Sequence, residues 1–196
     1  MTKNAFTRSV VAAALALLWA SPGMAQTPGS PAPGATAAPP SFPATSFLAP
    51  TRATWDSTRA LVLGIADSVP EDKYDFKPTP AVRTFRDILV HLIGENYTFF
   101  SRVSGDNLGG NARFDNLKSR AEVMQALRES YDYGARVWAG LTEEKALEMV
   151  PGRGGQPTQR WAAILVAIQD NMNHYGNLVV YLRLNGMVPP RSAPRN

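Results

Sequence analysis

Four stretches of the chain carry apolar residues at helical spacing, and no stretch alternates convincingly with the period of two expected of a half-buried strand. In residues 51–68 (TRATWDSTRALVLGIADS), Trp55, Leu61 and Ile65 fall near one face, and Pro70 ends the run. The next segment, EDKYDFKPTPAVR, contains Pro78 and Pro80 and reads as a loop. Thr84 is a good N-cap for a second helix, with Asp87 three residues later in the reciprocal acidic position. That helix is expected to reach about Val103, burying Phe85, Ile88, Leu89, Leu92, Phe99 and Val103. His91 and Glu95 lie one turn apart on a neighbouring face.

A polar, glycine-rich connection over residues 104–117 leads to a third helix. Ser119 and Glu122 form a capping box, and Val123, Leu127, Gly134, Val137, Trp138 and Leu141 are expected to face inward. Thr142 opens a further short helical turn, and PGRGGQPTQ reads as a loop with a hairpin or tight turn at Gly154-Gly155. A fourth long helix is expected over residues 159–185, capped by Thr158, stopped at Gly186 and unable to continue past Pro189-Pro190. It has one apolar stripe from Trp161, Ile164 and Leu165 through Ile168, Met172, Tyr175 and Val179 to Leu182. A second face carries Ala163, Ala167, Asp170, His174 and Tyr181. A helix apolar on two faces belongs between neighbours, and its small residues let another helix approach closely. The pattern predicts an all-α fold, a four-helix bundle. No glycine-rich strand-to-helix motif supports a nucleotide-binding α/β fold.

The remaining residues change the picture at the N-terminus. Lys3 and Arg8 precede the apolar run VVAAALALLWA, and Gly23-Met24-Ala25 offers small residues for signal-peptidase cleavage before Gln26. Residues 1–25 are therefore expected to be a signal peptide, because the apolar run is shorter than the ~20 residues of a spanning helix. Residues 26–45, almost all Pro, Ala, Gly, Ser and Thr, form a linker. Residues 46–190 form the bundle and residues 191–196 a tail. The expected location is periplasmic or secreted, with no stable membrane insertion after cleavage. The 196 residues carry a formal net charge of +4, which falls to +2 without the two leader cations. That balance gives no electrostatic case for nucleic acid as a partner. The absence of cysteine excludes disulfides, thiolate zinc sites and cysteine nucleophiles within these residues.

Candidate chemistry centres on QDNMNHYGNLVVYLR, where Asp170 and His174 are four residues apart on the last helix. Such residues are neighbours on a helix surface, so they can share a metal ion or a hydrogen-bond network. His91, the one other histidine, completes a set of two imidazoles and a carboxylate. That set suits Zn, Ni, Mn or Fe, and open positions would admit water or a thiolate substrate. Glu95 is a candidate fourth ligand or a partner for His91. The competing reading of the same spacing is a hydrogen-bonded structural pair. A di-iron carboxylate bundle does not fit, since it requires Glu-x-x-His pairs and more acids than are present. No serine lies in a nucleophile-elbow motif, and the tryptophans and tyrosines are most simply core.

Three segments resemble the DinB superfamily of small metal-binding bundles, also called DinB/YfiT-like. They are YDFKPTPAVRTFRDILVHLIGEN, DNMNHYG and YLRLNGMVPP, which in order cover nearly all of residues 47–190. The resemblance implies a four-helix bundle with a three-histidine metal site, often as a homodimer. Some members are thiol-dependent transferases or isomerases. His91 matches the first ligand and His174 the last. Asp170 stands where the family usually has histidine. This departure permits either a two-His-one-Asp site or a degenerate site without metal. The resulting expectation is an exported metal-binding protein acting on an unidentified small molecule, as a thiol-dependent transferase or a hydrolase. The rival is a non-catalytic binding or stress-related module.

Overall fold

A computed structural model describes residues 46–106, 108 and 111–194. The expected signal peptide and linker, residues 1–45, lie outside the described residues. Five helices, α1 (Leu48–Ser68), α2 (Phe85–Ser104), α3 (Arg120–Ala139), the short α4 (Glu143–Leu147) and α5 (Arg160–Leu184), are joined by loops and one small hairpin. The four long helices form the expected bundle. Helices α3 and α5 each pack against both α1 and α2, which take opposite corners.

Local chemistry explains most of the helix ends. The Thr84 hydroxyl accepts from the Asp87 backbone N–H (3.0 Å), while the Thr84 N–H donates to Asp87 Oδ2 (3.1 Å). This is the reciprocal arrangement expected from the sequence. Ser119 and Glu122 do the same for α3, and Thr142 accepts from the Lys145 N–H at the start of α4. Gly186, at φ 71°, occupies the left-handed conformation that ends α5, and the Met187 N–H returns to the Leu182 carbonyl (3.0 Å).

The start of α5 departs from expectation. Thr158 is not its cap. It lies in strand β2 (Pro157–Gln159), paired antiparallel with β1 (Met149–Pro151), so its Cα faces that of Val150. Gln159 takes the cap position without a side-chain bond to the helix backbone; its Oε1 instead accepts from Trp161 Nε1 (2.7 Å). Leu165, assigned to the buried stripe, is 41% exposed. The buried residues of α5 instead run from Ala163, Ile164, Ala167 and Ile168 through Asn171 to Leu178, Tyr181 and Leu182. The buried line therefore runs between the two apolar faces read from the sequence, because α1 and α2 press on α5 from adjacent directions.

The core is built around aromatic rings. Trp55 of α1 meets Phe100 of α2 and Tyr131 of α3 with ring centroids 4.7 and 5.1 Å apart. Gly134 makes room for them, since a Cβ there would lie 2.9 Å from Phe100 Cε2 and 3.0 Å from Trp55 Cζ2. On the approach to α2, the loop is pinned from two sides. The Tyr74 hydroxyl donates to the Ala66 carbonyl (2.9 Å), and Arg86 forks onto both oxygens of Asp75 (2.8 and 3.3 Å). Beyond α5, Pro190–Ser192 forms a single 3-10 turn. No described helix is long and apolar enough to cross a membrane.

Candidate metal centre

His91 projects from α2, two turns after its cap, and Asp170 and His174 project from α5 one turn apart. Since α2 and α5 pack directly together, the three side chains converge. One ligand atom from each lies within 4.8 Å of the other two. The two imidazole rings meet edge to face, with centroids 4.9 Å apart and planes at 79°. His174 Nε2 and Asp170 Oδ1 are 3.7 Å apart, too far for a hydrogen bond. All three residues are half-buried. Glu95 is half-buried one turn beyond His91 and does not join the group.

The polar atoms of this cluster are poorly satisfied. Asp170 Oδ2 and His174 Nδ1 are both buried without a hydrogen-bond partner. Buried polar groups are nearly always paired, so these two atoms one turn apart leave bonding capacity that a ligand could take up. Asp170 forms no ion pair with an arginine or lysine among the described residues; its titratable neighbour is His174. Burial holds the His174 imidazole below its ordinary value, against the pull of Asp170 and with help from His91 and Arg83. The ring is therefore neutral at pH 7, the form that binds a metal. Donors around one divalent ion at ~2.1 Å stand roughly 3.4 Å apart in a tetrahedral site. Closing the observed triangle on an ion takes side-chain movements of about an ångström, so the donor set fits a divalent metal.

Two open clefts border the cluster, one at each histidine. One, of about 380 Å³, is lined by His91 with Arg83, Arg86, Asp87, Val90, Asp115, Leu117 and Lys118. The other, of about 410 Å³, is lined by His174 with Ala81, Val82, Arg83, Ile88, Asn177 and Tyr181. Arg83 borders both. Its carbonyl accepts from the Tyr181 hydroxyl (2.7 Å), which ties the loop before α2 to the last turns of α5.

Beneath the cluster lies a polar network that periodicity alone did not reveal. Asn171, next to Asp170, is fully buried. Its Nδ2 donates to Asn96 Oδ1 (2.8 Å) and to the Ala167 carbonyl (2.8 Å). The Tyr131 hydroxyl donates to Asn171 Oδ1 (2.5 Å), and Asn96 Nδ2 donates to Ser130 Oγ (3.1 Å). The network couples α2, α3 and α5 at the level of the candidate ligands and sets the register that brings His91 opposite His174. A signal for it does exist in the sequence. Asn96 continues the line of Leu89 and Leu92, and Asn171 that of Ala163 and Ala167, so each is an amide on an otherwise apolar face.

Comparison with known proteins agrees with this architecture. The chain is 24% identical over 135 residues to protein YjoA of Bacillus subtilis (strain 168), covering 66% of this chain and 85% of the relative. The crystal structure of that DinB-like protein superposes with a TM-score of 0.59 at 19% identity, covering 71% of this chain and 93% of the other. A DinB-like protein from Bacillus cereus ATCC 10987 gives a TM-score of 0.64 at 13% identity, with 71% and 93% covered. A conserved protein from Enterococcus faecalis gives 0.60 at 14% identity, with 72% and 98% covered. Residues 54–178 match the family model of the DinB superfamily, and the chain, with its helical bundle and its converging His91, Asp170 and His174, belongs to that superfamily.

Proposed function

We propose that this chain is an exported, DinB-like divalent-metal protein that acts on a small molecule. His91, Asp170 and His174 are its ligands, and the metal is Zn, Ni, Mn or Fe. The observation that carries this reading is the orphaned pair, Asp170 Oδ2 and His174 Nδ1, in a cluster whose donors already lie within 4.8 Å of one another. A carboxylate that had drifted out of a degenerate site would be expected to find water or an arginine. Asp170 instead stays on the cluster, its side chain only 26% exposed.

A bound ion would supply Lewis acidity, lowering the pKa of a water or thiol brought to the site. The chain's own residues supply the rest. The His174 and His91 imidazoles offer nitrogen donors, and Asp170 offers a carboxylate oxygen that favours harder divalent ions than a third histidine would. Glu95 stands one turn along α2 as a candidate to orient His91 or accept a proton. The clefts beside His91 and His174 give a small substrate room to approach from the surface. This arrangement suits a thiol-dependent transferase or a hydrolase. Export through the leader in residues 1–25 would deliver the bundle to the periplasm or the medium, and a homodimer is part of the proposal.

The test is metal content. Residues 26–196, purified without a histidine tag and reloaded with Zn, Ni, Mn or Fe(II), should hold one ion per chain. His91→Ala and Asp170→Ala should each lower that stoichiometry. Parent and variants with equally low metal would defeat the proposal and leave the non-catalytic binding module. The export proposal is read separately, from a mature N-terminus at or near Gln26.

A further inference from the structure

We propose that the centre takes a small organic anion, and that Arg83 is the residue that selects it. The inference rests on the metal-site reading, because the far end of the ligand must meet the ion.

One of the two clefts opens on the His174 side. Its lining beyond His174 is Ala81, Val82, Ile88, Asn177 and Tyr181, with Arg83 as the only formally charged residue among those described. No carboxylate lies within salt-bridge distance of Arg83 among the described residues. The other cleft differs. There Asp87 and Asp115 accompany Arg83, Arg86 and Lys118, and Arg86 is already engaged by Asp75. Arg83 thus brings to the His174 cleft a positive charge with no ion-pair partner of its own among the described residues, and Asp170, beside His174, is the carboxylate that a bound ion would engage.

Position supports the same conclusion. The Tyr181 hydroxyl holds the Arg83 carbonyl at 2.7 Å, and Phe76 packs edge-on against the Tyr181 ring at 6.0 Å. Tyr181 lies seven residues after His174, two turns along the same face of α5. The arginine backbone is thus fixed relative to the metal ligands, while its side chain remains exposed and able to receive a ligand. A divalent ion held by one carboxylate leaves a net positive centre, and Arg83 adds to it. A guanidinium matches a carboxylate or phosphate through two parallel hydrogen bonds. The ligand class is accordingly a small acid. Its anionic group would pair with Arg83, its short carbon chain would cross Val82 and Ile88, and a donor at its other end would reach the ion.

The test compares 3-mercaptopropionate with its neutral analogue 3-mercaptopropanamide on cobalt-loaded protein, read from the visible and thiolate charge-transfer bands. The same protein without metal is titrated with propionate and propanamide, read from the amide resonances of Val82, Arg83 and Asn177. The parent should favour the acid over the amide by about tenfold when loaded, the size expected of a hydrogen-bonded charge pair. This preference should shrink as salt is raised. Arg83→Gln should bind cobalt as the parent does and lose the preference, whereas Arg83→Lys should recover part of it. In the metal-free arm, the acid should shift those resonances more than the amide, and Arg83→Gln should abolish the difference. A parent that holds no cobalt refutes the metal reading, and the metal-free arm then judges Arg83 by itself. Equal response to acid and amide in the parent, or a preference that survives in Arg83→Gln, overturns the proposal.

Discussion

Replacing Asp170 with alanine should change stability in opposite directions with and without metal. Asp170 Oδ2 is buried without a partner, and Oδ1 is 3.7 Å from His174 Nε2, beyond hydrogen-bond range. An unsatisfied buried acceptor costs about 1–3 kcal/mol. Because the side chain is 26% exposed, the low end applies, roughly 1 kcal/mol. Alanine also favours a helix interior over aspartate by about 0.5 kcal/mol. In excess EDTA, Asp170→Ala should therefore be as stable as the parent or about 1 kcal/mol more so. Metal reverses the order. At a free concentration a hundredfold above Kd, binding stabilises the parent by about 2.7 kcal/mol. For a domain of this size that is a rise in Tm of roughly 5–10 °C, which the variant should largely lose. Urea unfolding in EDTA and thermal unfolding with and without Zn would measure both halves. A metal-free variant weakened by more than about 1 kcal/mol would mean that the carboxylate has a structural partner. An undiminished metal-induced rise would mean that Asp170 is not a ligand.

Three further outcomes follow from the core. Asn171→Ala strips partners from Tyr131 and Asn96 in the interior and should cost about 2–4 kcal/mol in urea unfolding; it should also weaken metal uptake, and full stability with unchanged uptake would discount the network. Gly134→Ala brings a methyl to 2.9 Å from Phe100 and 3.0 Å from Trp55. Overpacking of about 1–3 kcal/mol should exceed the gain of about 1 kcal/mol in helix propensity, giving a net loss by chemical denaturation. Burial raises the Tyr74 hydroxyl from 10.0 to about 12, so folding favours its neutral form. That contribution is complete below pH 10 and is lost as pH rises towards 12, and Tyr74→Phe should flatten this part of the alkaline stability curve by one proton's slope.

What could be read in the sequence was mostly local. The caps at Thr84 and Ser119 rely on residues three positions apart, and the stripe of α2 is set by its own period, so both appear directly in the chain. The grouping of His91, Asp170 and His174 as candidate ligands was also legible, because few residue types bind metal and two of the three share one helix face. The cap of α5 was not. Thr158 has the right chemistry, but pairing of β2 with β1 draws it into a strand, and that choice is made by a partner segment. Asn96 and Asn171 were missed because an amide on a helix is usually solvated; only the packing of three helices shows that these two satisfy each other.

The candidate ligands are about eighty residues apart in the chain, on two helices that must dock before the site exists. An unfolded chain presents no preformed cluster, so an ion finds its full donor set only once α5 has packed onto α2. If the proposed export carries the chain across a membrane unfolded, the ions competing for the centre are those on the far side. Metal choice would then be a matter of geography as much as of ligand chemistry, and the same sequence refolded in the cytoplasm could mature with a different ion.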